Sequence, residues 1–216
     1  MTLAELVEHV RLYYLRDTET PYLWPAKELV RYFNAAQNLF ARHTHCITDD
    51  TSDFTLITTT ASTNNYRLDP RIIYVYEIYN AHGRRMNKSN RQKLPTVINK
   101  STPTSYTLDA GSTILRFWPT PDGEYEHQML VARLPLQDMA NTFDTPEIPE
   151  EHRLDLCDYV AYMAVRNNDT ESSETQAGAN FKADWEMKLV QAKRNFYHLR
   201  GGSNQRVVNN WTGGRR

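Results

Sequence analysis

Apolar residues in this chain recur at one spacing near both ends and at another in the middle, and that change of period limits the fold more than any other feature. From Thr2 to Arg16, the residues Leu3, Leu6, Val7, Val10, Tyr13 and Tyr14 mostly fall three or four apart, the spacing of one helix face. Thr2 and Glu5 have the T-x-x-E spacing of a capping box, in which each side chain satisfies a backbone N–H that the first helical turn leaves unpaired. Residues 17–24, DTETPYLW, read as a loop. Pro25 suits the first position of a second helix, where its missing N–H costs nothing. Leu29, Val30, Phe33, Ala36, Gln37 and Phe40 stripe that helix to about Arg42.

From Asp53 the period shortens. FTLITTT, NYRLD, IIYVYEIYN, SYTLD, STILRFWP and YEHQMLVARLP are β-branched and aromatic runs separated by Asn, Asp, Pro and Gly, the pattern of short strands. In IIYVYEIYN both alternating sets carry large apolar groups, which predicts a strand between two packed layers. Residues 81–84 and 109–112 read as hairpin turns, and Asn87–Lys100 as a basic loop holding a short helix. After the Pro-rich joint Asp144–His152, helical spacing returns in Leu154, Cys157, Val160, Ala161 and Ala164. A polar break at Asn168–Glu171 precedes a last helix, about Ser172–His198, with Phe181, Trp185, Leu189, Ala192 and Phe196 on its stripe.

Helices at the two ends bury their stripes only by packing together, which leaves the strands as an insertion. The predicted fold is α+β: a small helical bundle with an inserted antiparallel β subdomain of five to seven strands. The predicted organisation is a helical part over 1–50, the β insertion over 51–143, a second helical part over 144–198 and an extended arm over 199–216.

The net charge of −1 conceals an asymmetry. Met187–Arg216 contains seven Lys or Arg and no acid, so Met1–Glu186 carries −8. A cationic end on an acidic body favours head-to-tail association between copies or an acidic partner. Residues 201–216, GGSNQRVVNNWTGGRR, hold too few apolar groups to build a core. After Arg200, glycine pairs at 201–202 and 213–214 flank Arg206, Val207, Val208 and Trp211, and Arg215 and Arg216 follow. A Trp flanked by arginines is a common interface anchor, so this arm is expected to take its shape on a neighbouring subunit.

The chemistry of catalysis is poorly represented. His43, His45 and Cys46 are the metal candidates, but two His separated by two positions on a helix face different ways. No G-x-S-x-G, P-loop or G-x-G-x-x-G is present, and Cys46 and Cys157 form no CxxC pair. The expectation is a non-enzyme with no cofactor and no metal. No run approaches the ~18 apolar residues of a membrane helix. Arg84, Arg85, Lys88, Arg91 and Lys93 form a basic loop, and Tyr76, Tyr79 and Trp118 are candidates to stack on bases. That loop and the tail together support a rival reading, a nucleic-acid-binding module that grips phosphates without reading sequence.

Several segments together resemble a known family. RDTETPYLWPAKELVRYFNAAQNLFARHTHCITD is similar to the opening of phage head-to-tail adaptor (connector) proteins, on Asp17, Pro21, Tyr22, Leu23 and Trp24, then Leu29, Arg31, Tyr32, Asn34, Ala36 and Gln37. YRLDPRIIYVYEIY, STILRFWPTPDGEYEHQMLVARLPLQDM and DTPEIPEEHRLDLCDYVAYMAVRNNDTE look like the same family's β insertion and third helix, so the likeness spans about Leu3–Phe196. It implies a structural virion protein, made in the host cytoplasm, that forms a ring beneath the portal with the portal's twelve-fold symmetry. The ring would extend the DNA channel, let double-stranded DNA pass without sequence readout, and attach the tail or nozzle. Gly201–Arg216 lies where family members carry a portal-gripping extension. The acidic stretch Asp138–Glu151, with Asp144, Glu147, Glu150 and Glu151, is the expected receiving surface for a neighbour's basic element.

Overall fold

The computed structural model describes residues 1–89, 99–108, 113–167 and 172–199. The fold is α+β, with four α-helices and eight strands among the described residues. Helix α1 (Leu3–His9) starts on the capping box: Glu5 N–H donates to Thr2 Oγ1 at 3.3 Å, and Thr2 N–H to Glu5 Oε2 at 2.8 Å. The single helix expected to Arg16 instead widens into a π-helical stretch, Val10–Leu15, and stops at Arg16 in the left-handed conformation. The reason lies in Arg11. It is buried there and bound to Asp17, a contact that fixes how the chain leaves the helix.

Helix α2 (Ala26–Thr44) begins one residue later than predicted, with Pro25 as its cap in extended conformation. Helix α3 (Leu156–Asn167) follows a 3-10 turn at Glu150–His152, and α4 spans Ser172–Leu199. The buried stripes of all four share one core, built from residues such as Leu6, Leu29, Phe33, Phe40, Val160 and Trp185. Met139 and Ile148, from the stretch that leads into α3, complete it. Fully burying each such side chain is worth ~1.5–3 kcal/mol.

The strands are β1 (Thr48–Asp49), β2 (Leu56–Thr58), β3 (Asn65–Arg67), β4 (Ile72–Asn80), β5 (Asn87–Lys88), β6 (Ser105–Leu108), β7 (Ile114–Trp118) and β8 (Glu126–Arg133). They form two sheets. In the first, β8 is central, with β4 along one edge and β1 and β2 sharing the other. The second runs β3-β7-β6-β5. Every pair is antiparallel except β5 with β6, a departure from the all-antiparallel expectation. Those two strands are joined by residues 89–104, a connection long enough for the crossover that parallel pairing needs. A second core, including Val75, Ile78, Tyr106, Leu115, Phe117 and Met129, draws residues from both sheets.

Strand β4 does not alternate as its sequence predicts. Register shifts between Ile72 and Tyr74 and between Val75 and Glu77 interrupt its pairing with β8. Val75 and Ile78, three apart, are thereby both buried in the core, while Tyr74 on the opposite side is exposed. The predicted turn at 81–84 is present, with Gly83 at φ +69, and Asn80 Oδ1 accepts from the N–H groups of His82 and Arg84. The turn predicted at 109–112, the short helix expected within Asn87–Lys100 and the polar break at Asn168–Glu171 fall largely or wholly outside the described residues.

Candidate assembly surfaces

Residues 17–24 form a loop organised around one buried ion pair. Asp17 accepts from the Arg11 guanidinium, from Leu23 N–H at 2.9 Å and from Trp24 N–H at 3.3 Å. Arg11 Nη2 donates to Trp24 O at 2.6 Å, and its guanidinium lies 3.9 Å from the Tyr22 ring centroid. Trp24 is buried and its indole Nε1–H donates to Ala164 O at 3.1 Å, tying the loop to α3. The loop thus sends Trp24 inward and holds Tyr22 and Leu23 outward. The D-x-x-x-P-Y-L-W pattern encodes a built display, with Asp17 as its organiser.

The joint between β8 and α3 carries a second display. Asn34 clamps Met139 through paired bonds of 2.9 and 2.8 Å, and Gln37 Oε1 accepts Glu147 N–H at 2.7 Å. Asp144 accepts from the N–H groups of Ala140 and Asn141, each at 2.7 Å, which holds its carboxyl below the ordinary range. Between these anchors Phe143 stands 86 % exposed, more than any other large apolar residue described. Of the four acids expected to receive a neighbour, Asp144 and Glu147 are engaged within the chain, Glu147 through Arg133 at 2.6 Å and Leu136 N–H at 2.8 Å. Glu150 and Glu151 have side chains 80 % and 71 % exposed.

A third surface lies where the helices meet β4. A cleft of about 680 Å³ is lined by His43 and His45 at the end of α2, by Tyr74 and Tyr76, and by Val190, Lys193, Arg194 and Tyr197 of α4. Tyr74 stacks on His45 at 5.6 Å and meets Tyr76 edge-on at 5.0 Å. Lys88, expected in the basic loop, lies 5.1 Å above the Tyr74 ring, and Arg85 pairs with Glu77 at 3.0 Å. Arg84 is exposed on the turn, while Arg91 and Lys93 lie outside the described residues. Of the proposed base-stacking aromatics, Tyr76 lines the cleft, Tyr79 donates its hydroxyl to Glu77, and Trp118 is half-buried.

Among the described residues no group of three or more His, Cys, Asp or Glu could hold a metal. Cys157 is fully buried, and burial, with Asp158 beside it, pushes its thiol up to about 12, a state far from a nucleophile. His127 is also fully buried and stacks on Phe117 at 4.5 Å with no partner for either ring nitrogen. Desolvation lowers it to about 4, so it is neutral at pH 7. No described helix is long and apolar enough to cross a membrane.

Sequence reading missed Phe143 and the cleft. Phe143 has a faint signal, a large apolar residue just before the Pro-rich joint with no periodic partner. The cleft has none, because its walls come from three distant segments. The proposed arm residues Arg200, Arg206, Val207, Val208, Trp211, Arg215 and Arg216 lie outside the described residues.

An α+β body that holds aromatic residues outward on anchored loops, beside a cationic cleft, has the makings of an assembly component. The sequence profile of one family, SU10 adaptor protein, matches residues 1–207 of the chain. The chain belongs to that family, a phage head-to-tail adaptor family. No curated protein matches it.

Proposed function

We propose that this adaptor works by contacts alone, as a ring beneath the portal at the capsid vertex of the virion. The ring follows the portal's twelve-fold symmetry, extends the DNA channel and presents the surface to which a tail or nozzle protein attaches. The family match over nearly the whole chain carries this reading. The exposed Phe143, the cationic cleft and the opposite charges of body and tail support it. Residues Arg200–Arg216 are the portal grip, with Trp211 as anchor and the arginines around it as polar contacts. Glu150 and Glu151 form the exposed acidic face toward a neighbouring copy. DNA passes the ring by charge alone, with Arg84 and the basic residues that follow facing the channel. The test is co-sedimentation of the purified protein with portal, with and without residues 201–216. Loss of binding on truncation supports the grip, and undiminished binding refutes it.

A further inference from the structure

Two of the surfaces described above complement each other in charge, and they attach to opposite sides of one helix. The Phe143 loop is pinned to α2 at Asn34, which clamps Met139. The cleft begins at His43 of the same helix. Nine residues at ~3.6 per turn make about two and a half turns, so Asn34 and His43 point to opposite sides, roughly 13 Å apart along the axis. The loop and the cleft are therefore attached to opposite faces of α2.

We infer that Phe143 of one copy seats in the cleft of the next, between Tyr74 and Tyr197, and that this contact builds the ring. The inference rests on the ring reading and specifies its interface. Phe143 lines a hollow with the acids Asp138, Asp144 and Glu147 and one largely buried cation, Arg153, while Lys193 and Arg194 line the cleft and belong to no ion pair among the described residues. An exposed aromatic edged by acids thus meets an aromatic cleft edged by cations, which favours association and fixes its orientation. The chain's own cationic tail is the poorer occupant, since its arginines would meet Lys193 and Arg194 with like charge. A contact between different patches on opposite sides is heterologous, and repeating it closes a ring when the rotation permits. A two-fold dimer would have to form this contact twice at one interface, which patches on opposite sides do not allow.

The experiment mixes two differently tagged copies, one Phe143→Cys and one Val190→Cys, both in a Cys46→Ser background, on portal under mild oxidation. Val190 lines the cleft and is half exposed, and the remaining Cys157 is fully buried. The expected result is a disulfide between the two tags, with neither variant linking to itself. Rings that form without that disulfide, or a Phe143→Cys copy that links to portal instead, overturn the inference and leave the ring reading intact. Wild-type protein that forms no ring on portal overturns both. Phe143→Ala supplies an independent reading: at least tenfold weaker self-association with an unchanged melting temperature is expected. Wild-type assembly by that variant counts against the contact.

Discussion

Arg133 and Asp49, eighty-four positions apart, meet in a buried ion pair with Nε 2.5 Å from Oδ2. Their side chains are 9 % and 5 % exposed, and Glu147 takes a second edge of the same guanidinium. The Asp49 carboxyl is desolvated, which alone would raise it. Hydrogen bonds from the Ser52 hydroxyl, the Thr51 and Ser52 N–H groups and Arg133 outweigh that and hold it far below the ordinary range. One cation therefore joins β1, β8 and the joint that leads back to the helices.

Arg133→Leu leaves two carboxylates without their cation and should destabilise the protein by ~3–5 kcal/mol in urea unfolding. Glu147→Lys should destabilise it through the same site. Glu150→Lys with Glu151→Lys, which changes only exposed groups, should stay within ~0.5 kcal/mol of wild type yet weaken ring formation. Equal losses from the two reversals would show that the charge cluster is not where the fold is held.

Asp17 organises the loop that displays Tyr22. Asp17→Ala strands the buried Arg11 guanidinium and should cost ~3 kcal/mol or more. Trp24→Phe replaces the buried indole with a smaller ring and removes its hydrogen bond to Ala164, a loss of about 2 kcal/mol. Chemical denaturation distinguishes them, and a smaller cost for Asp17→Ala than for Trp24→Phe would contradict the loop's design.

His127 should make stability fall in acid. Its folded value is lowered to about 4 from 6.5, so between these limits the unfolded chain binds a proton that the folded chain does not. The stability His127 contributes is whole above pH 6.5 and is lost as pH falls toward 4, ~3 kcal/mol at most. His127→Phe should flatten this slope relative to wild type. Parallel pH profiles of the two proteins would rule the mechanism out.

The described core residues all lie between Leu3 and Phe196, so removing residues 201–216 should leave the melting temperature unchanged while portal binding is lost. Trp211→Ala alone should weaken binding by ~2 kcal/mol, as expected of an anchor. A thermal melt gives the melting temperature, and calorimetric titration against portal gives the affinities.

The elements with local signals were legible in the sequence. The Thr2–Glu5 box, the α2 stripe and the turn at Gly83 all follow from spacing of a few residues, and the structure has each of them. What was not legible depends on partners distant in sequence. The π-helical turn serves Arg11, whose need for Asp17 no periodicity reveals. The bulges of β4 appear only once β8 is alongside, and they turn an apparent two-faced strand into one that buries Val75 and Ile78 together. Glu147 reads as one acid among five in its stretch, and only the fold gives it Arg133. The cleft was hidden for the same reason, since α2, β4 and α4 each supply a wall.

The most direct test is the mass of the purified full-length protein, alone and mixed with portal, by native mass spectrometry. The account predicts portal particles that gain one ring of adaptor copies matching the portal's own symmetry, and it fails if the mixture retains the masses of its separate components.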